Sequence, residues 1–147
     1  MVLGCIGLIV WYWPLAGANG AVREILIFRE FSAVRRFLYQ AYPRRDVVVI
    51  SDIANCYVPL RFSAVYPAHA NAKSGDLIGN LNAGLFRDIV VIQRVAYGGG
   101  QVAPETALNA DFQLQPLEQC QLSGEHALRI SRVKTGRPGW DQREVRP

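Results

Sequence analysis

From Val2 to Trp13 nearly every position is apolar, and no charged residue occurs before Arg23. The run closes on three consecutive aromatics, Trp11, Tyr12 and Trp13. Amphipathic rings of this kind favour the membrane–water interface. Pro14 and the small residues Ala16, Gly17 and Ala18 then break the pattern. A spanning helix needs roughly 20 apolar residues, so the run is short for one. It is read as part of a transmembrane segment, residues 1–20, at the tail of a longer protein. Three other readings compete with it. A signal peptide needs a basic start, which is missing, although Ala16-Gly17-Ala18 is an acceptable cleavage site. Val2-Leu3-Gly4-Cys5 has the look of a lipoprotein box without the hydrophobic stretch that should precede one. A buried core helix is the plainest alternative.

Beyond residue 20 the hydrophobic period changes. Val22, Ile25, Leu26, Val34, Phe37 and Leu38 fall near helical spacing, and Phe28 and Phe31 widen the stripe. This predicts a helix from Val22 to Tyr42, ended by Pro43. The phenylalanines Phe28, Phe31 and Phe37 read as core packing. Val47 to Ile50 is an unbroken β-branched run, the mark of a strand covered on both faces. Ser51 to Pro67 reads as loop, with a short strand over Ser63 to Tyr66. Ser74 can cap a helix reaching about Phe86, with Asp76 in its first turn and Leu77, Ile78, Leu81 and Leu85 on one face. Ile89 to Ile92 is a second buried strand. The stretch from Val47 to Val95 is thus a β-loop-α-β unit, which implies a parallel pair. Phe112 to Leu114 and Ala127 to Val133 read as two further strands, antiparallel and joined through Pro116 to Gly124. The expected fold is α/β, a small two- or three-layer sheet with C-terminal antiparallel strands, preceded by a hydrophobic membrane helix. The soluble α/β domain spans residues 21–134, and residues 135–147 form a flexible tail.

The length of 147 residues suits one such domain, and half of the residues are hydrophobic, enough for one core. The net charge of +4 has a place in the chain. Arg23, Arg29, Arg35, Arg36, Arg44 and Arg45 outweigh Glu24, Glu30 and Asp46 directly after the apolar run. This stretch suits anionic lipid headgroups. Arg129, Arg132, Lys134, Arg137, Arg143 and Arg146 make the tail basic too. Nucleic acid is not the expected partner, because no helix-turn-helix, zinc-finger or RNP pattern accompanies the charge.

The best candidate for chemistry follows the first strand. Asp52, Asn55 and Tyr57 lie just past its C-terminal end, and Gln93, Arg94 and Tyr97 leave the second strand on the same side. Ligands of open α/β sheets bind at that edge. Arg94 suits a phosphate or carboxylate in a forked contact, so Asp52, Asn55, Tyr57 and Arg94 form a candidate site for an anionic or sugar-like ligand. The structural alternative is that Asp52 pairs with Arg94 and that Asp52 and Asn55 bond their own turns. Gly98-Gly99-Gly100 is not a phosphate loop, because no helix opens convincingly at Pro104-Glu105, and no G-x-G-x-x-G or Walker pattern exists. His69 and His126 lack a second ligand at helical spacing, so no metal is expected, and no cofactor is implied. Cys56, His126 and an aspartate could be drawn as a triad only if the fold brings them within hydrogen-bond reach. Cys5, Cys56 and Cys120 form no C-x-x-C pair. Cys56 and Cys120 can pair in an oxidising compartment, and two free thiols are the commoner outcome.

Taken together, the basic helix, the strand Asp46-Val47-Val48-Val49-Ile50-Ser51-Asp52, Ala70-Asn71-Ala72, the stretch Gly84 to Val95 and the final Leu128-Arg129-Ile130-Ser131-Arg132-Val133 are similar to the soluble C-terminal domain of bacterial polytopic membrane proteins. These resemble the lipid-linked-sugar glycosyltransferases of the protein-mannosyltransferase and aminoarabinose-transferase type. The resemblance covers most of the chain after Val22 as a diffuse pattern, without a diagnostic motif. It implies a non-catalytic accessory domain attached to a transmembrane part, because the family's catalytic acids lie between early transmembrane helices. No catalytic residue is carried over. The resemblance also implies a membrane location with the soluble part outside the cytoplasm. The basic flank after Trp13 points the other way, although earlier helices dominate orientation. The competing functions are a self-contained α/β domain binding a small anionic or sugar-like ligand, and a membrane-tethered interaction module.

Overall fold

The computed structural model of the chain describes residues 21–43, 46–52, 62–96, 101–121 and 126–135. The expected transmembrane segment and most of the expected flexible tail lie outside these residues. Among the described residues no helix is long and apolar enough to cross a membrane.

Helix α1 (Ala21–Ala41) is followed by strand β1 (Val47–Ile50), strand β2 (Ser63–Val65), helix α2 (Pro67–Ala72), helix α3 (Ser74–Ala83) and strand β3 (Asp88–Ala96). A 3-10 turn at Pro104–Thr106 precedes strands β4 (Leu114–Gln121) and β5 (His126–Val133). The five strands form one open sheet in the order β2-β1-β3-β5-β4. β1 runs parallel to both β2 and β3, with Val49 opposite Val90 and Ala64. β5 runs antiparallel to β3 and to β4. The α/β class, the parallel unit and the antiparallel C-terminal pair agree with the hydrophobic pattern.

Side-chain alternation along the strands explains why the apolar runs are unbroken. Val47, Val49, Val90, Ile92, Leu128 and Ile130 point to one face, where Val34, Leu38 and Tyr42 cover them. Val48, Ile50, Ile89, Val91 and Val133 point to the other, where they meet Ala70, Leu81 and Phe112. The domain therefore has three layers, with α1 on one face and α2–α3 on the other.

Several boundaries differ from the sequence-based expectation, each for a physical reason. The helix expected to reach Phe86 stops at Ala83, because Gly84 adopts the left-handed conformation (φ 82°) and Leu85 N–H returns to the Asn80 carbonyl. Pro67 was expected to end a loop but opens α2, standing in its first turn, where a missing N–H costs nothing. Ser74 does not cap α3. Lys73 holds the cap position without a side-chain bond, and the Ser74 hydroxyl is directed to Asp111. Pro116 was expected in a connection, yet it lies inside β4 opposite Ser131. β4 is the edge of the sheet, and an edge strand tolerates proline. The register shift between Pro116 and Glu118 and the brevity of β2 at the opposite edge both discourage pairing with other chains.

Tyr42 closes the α1 layer at 2% exposure, with Phe37 edge-on at a centroid distance of 6.3 Å. Burial raises the pKa of its hydroxyl far above the usual tyrosine range, and the Asp88 carboxylate adds to the shift against Arg132 and Arg87. A folded-state pKa above the unfolded value means that the contribution is complete below about pH 10 and is lost as pH rises further, when only the unfolded chain ionises readily. Thermal unfolding from about pH 9 to about pH 11 is expected to fall more steeply for the native sequence than for Tyr42→Phe. Parallel curves would show that this hydroxyl contributes nothing to the alkaline loss.

Candidate functional site

β3 is the longest strand and outruns β1. The β1 pairing ends with Ile50 opposite Val91, which leaves the edge of β3 beyond Val91 without a neighbour on that side. The chain returns to fill it. Val102 bridges antiparallel to Val95, Ala96 N–H donates to the Gln101 carbonyl, and Ala103 N–H donates to the Arg94 carbonyl. Gln93 then ties the 3-10 turn down, its amide donating to the Thr106 carbonyl at 3.1 Å.

The parallel pairing of β1 and β3 brings Asp52 and Arg94 together, as the strand order predicts. Arg94 Nη2 lies 3.2 Å from Asp52 Oδ2, with 29% and 13% of the two side chains exposed. The Ser51 hydroxyl donates to Asp52 Oδ1 at 3.4 Å. Arg94 Nε is buried and has no hydrogen-bond partner among the described residues. Asn55, Tyr57 and Tyr97 lie outside the described residues, as do Cys56 and the glycine triplet. Gln93 does not join the cluster. It is adjacent to Arg94 on a strand, so it faces the opposite side, where it is 3% exposed. Beside Arg94 the returning segment encloses a shallow hollow of about 290 Å³, lined by Arg94, Ala96, Val102, Pro104 and Glu105 among others.

Cys120 was expected in a loop or turn. It lies within β4 opposite Leu128, and its side chain is outside what is described. His69 is exposed on α2. His126 opens β5 opposite Ala96. Among the described residues no three His, Cys, Asp or Glu side chains gather as a metal site would require.

A second polar cluster joins residues far apart in the sequence. Asn71 Nδ2 donates to the Ala107 carbonyl at 3.1 Å, and Asn109 N–H donates to Asn71 Oδ1 at 2.9 Å. Ser74 Oγ and Asn109 Nδ2 both donate to Asp111 Oδ2, at 2.6 and 3.0 Å. These groups satisfy one another and fasten the 107–111 loop to the α2–α3 junction. The available signal was Asn109-Ala110-Asp111, a typical turn composition, but the partners 35 to 38 residues away are not visible in local sequence.

Comparison with family models, with curated proteins and with solved structures gives no match. The class is therefore that of an open, mixed α/β sheet with an ion pair at the C-terminal edge of its parallel strands.

Proposed function

We propose that the chain is a non-catalytic accessory domain of a polytopic bacterial membrane glycosyltransferase that uses lipid-linked sugars, tethered by residues 1–20 and placed outside the cytoplasm. The observation that supports the non-catalytic reading is the ion pair. Asp52 and Arg94 are charged groups at the C-terminal edge of the parallel strands, and at 3.2 Å each neutralises the other. An acid or base working on substrate needs a pKa tuned to the task and an open path to it. A carboxylate engaged by a guanidinium is suited to holding the loop after β1 against β3. The parent enzyme rests on the resemblance of the α1, β1, β3 and β5 sequences, and the tether on the uncharged run to Trp13.

The test uses the full chain expressed in bacteria. It is expected in washed membranes, with its α/β domain cleaved by protease added outside spheroplasts. Membranes carrying the chain alone should transfer no more sugar from a polyprenyl-phosphate donor than membranes without it. Monomeric protein in plain buffer would overturn the tether, and donor turnover dependent on this chain would overturn the non-catalytic role.

The hollow beside Arg94 favours a second reading, a self-contained domain for a small anionic or sugar-like ligand. The buried Arg94 Nε donor and the guanidinium would then serve a phosphate. Calorimetric titration with a sugar phosphate separates the two readings. Saturable heat that is lost in Arg94→Ala supports the ligand, and its absence supports the accessory role.

A further inference from the structure

The core accounts for only part of α1. Glu30, Val34 and Leu38 are buried against the sheet, with Phe31, Phe37 and Ala41 beside them. The opposite side of the helix carries Ile25, Phe28, Arg29, Arg35, Arg36 and Tyr39, all exposed. At about 100° per residue these six fall within an arc of about 120°. Ile25 is 58% exposed, and Phe28, expected in the core, is 70% exposed, which is unusual for large apolar side chains of a helix that has a sheet to pack on; Tyr39, 47% exposed, keeps one ring edge against the buried Phe62. Glu30 is turned to the core at 7% exposure. The exposed face therefore combines apolar and aromatic side chains with arginines.

We propose that this face of α1 lies on the surface of an anionic lipid bilayer, with Ile25 and Phe28 entering the headgroup boundary and Arg29 and Arg36 reaching phosphates. The inference rests on the membrane tether proposed above and adds the orientation of the domain. A helix with cations on its polar flank and large apolar side chains between them partitions into the interface plane. Arginine stems lie along apolar surface while their heads stay with charge and water. Charge complementarity selects an anionic leaflet over a neutral one. The chain supplies continuity as well. The aromatic end of the apolar run at Trp13 is separated from Ala21 by the seven residues Pro14 to Gly20, a span of at most about 25 Å. A bilayer holding the run thus keeps the start of α1 near its surface. In this orientation the α1 layer faces lipid, and α2–α3 face away.

The experiment reconstitutes the full chain, with Cys5, Cys56 and Cys120 replaced by serine, into vesicles. A single cysteine is placed by Phe28→Cys, or by Leu85→Cys on the opposite layer, and carries a fluorophore. Lipid-borne nitroxide is expected to quench the label at position 28 and not at 85 in phosphatidylglycerol vesicles. Quenching at 28 should weaken in pure phosphatidylcholine. Arg29→Gln with Arg36→Gln should reduce the bound-to-free ratio of the face about 20- to 30-fold, at about fivefold for each arginine. No quenching at 28, equal quenching at both positions, or insensitivity to lipid charge overturns the proposal. So does a dimer whose label at 28 is shielded in detergent as well as in lipid, which would assign the face to a second copy. If the chain fails to insert into any vesicle, the tether fails by itself. Co-sedimentation of the soluble chain with phosphatidylglycerol vesicles then decides the face, where binding lost in the double arginine variant supports it and no binding overturns it. Circular dichroism confirms that each variant keeps its helix content.

Discussion

Leu38→Ala is expected to lower the unfolding free energy by about 2–5 kcal/mol, the usual range for removing a fully buried leucine side chain. Leu38 is completely buried, and it joins Val34 and Tyr42 in covering Val47, Val49, Val90 and Ile92. Val34 and Leu38 are four residues apart, so they stack on one side of α1 and form the centre of its attachment to the sheet. Truncation leaves a cavity under the helix, and a domain of this size has only about 5–15 kcal/mol in reserve. Leu85→Ala is the control. Leu85 is 72% exposed beyond the end of α3, and its replacement should change stability by no more than about 0.5 kcal/mol. Urea unfolding followed by circular dichroism measures both. A Leu38→Ala midpoint equal to that of Leu85→Ala would mean that α1 is not part of the cooperative core.

The elements legible in the sequence are those whose burial leaves a local imprint. Val47 to Ile50 and Ile89 to Ile92 read as strands because both faces of the sheet are covered and neither run contains a polar break. α1 reads as a helix because its buried side recurs every three to four residues. The remainder depends on tertiary position. Pro116 signals a break in isolation and is tolerated because β4 is an edge. α2, six residues long, is too short to show a period. The extension of β3 through Gln93 to Ala96 follows from pairing with β5 on one side and with the returning Gln101–Ala103 segment on the other, and local sequence holds no trace of that return. The candidate site divides along the same line. The meeting of Asp52 and Arg94 follows from parallel neighbours whose C-terminal ends share an edge. The diversion of Gln93 to Thr106 could have been anticipated from strand alternation, since adjacent residues cannot face the same side, whereas its particular partner could not.

Arg94→Ala is expected to destabilise the domain by about 1–3 kcal/mol, less than the about 3–5 kcal/mol lost when one member of a fully buried pair is removed. The discount follows from exposure. With 29% of the Arg94 side chain and 13% of the Asp52 side chain accessible, solvent screens part of the attraction and rehydrates part of the abandoned charge. Asp52→Asn should cost less than Arg94→Ala, because the amide keeps an acceptor for Arg94 and a similar volume. Combining Asp52→Asn with Arg94→Met should recover much of the loss, since neither charge then remains without its counterpart and the methionine retains most of the apolar stem. With the single Arg94→Met variant closing the double-mutant cycle, the coupling is expected to be about 1 kcal/mol. The same variants separate the two functions. A structural pair predicts that stability falls in Arg94→Ala, is largely restored in the double variant, and is unaffected by sugar phosphate throughout. A ligand site predicts the reverse. Stability without ligand would change by less than about 0.5 kcal/mol, and only the native sequence would gain stability as sugar phosphate is added, by linkage of binding to folding. The geometry favours the first outcome, because an anion entering the hollow would compete with Asp52 for the guanidinium and would meet Glu105 in the same lining.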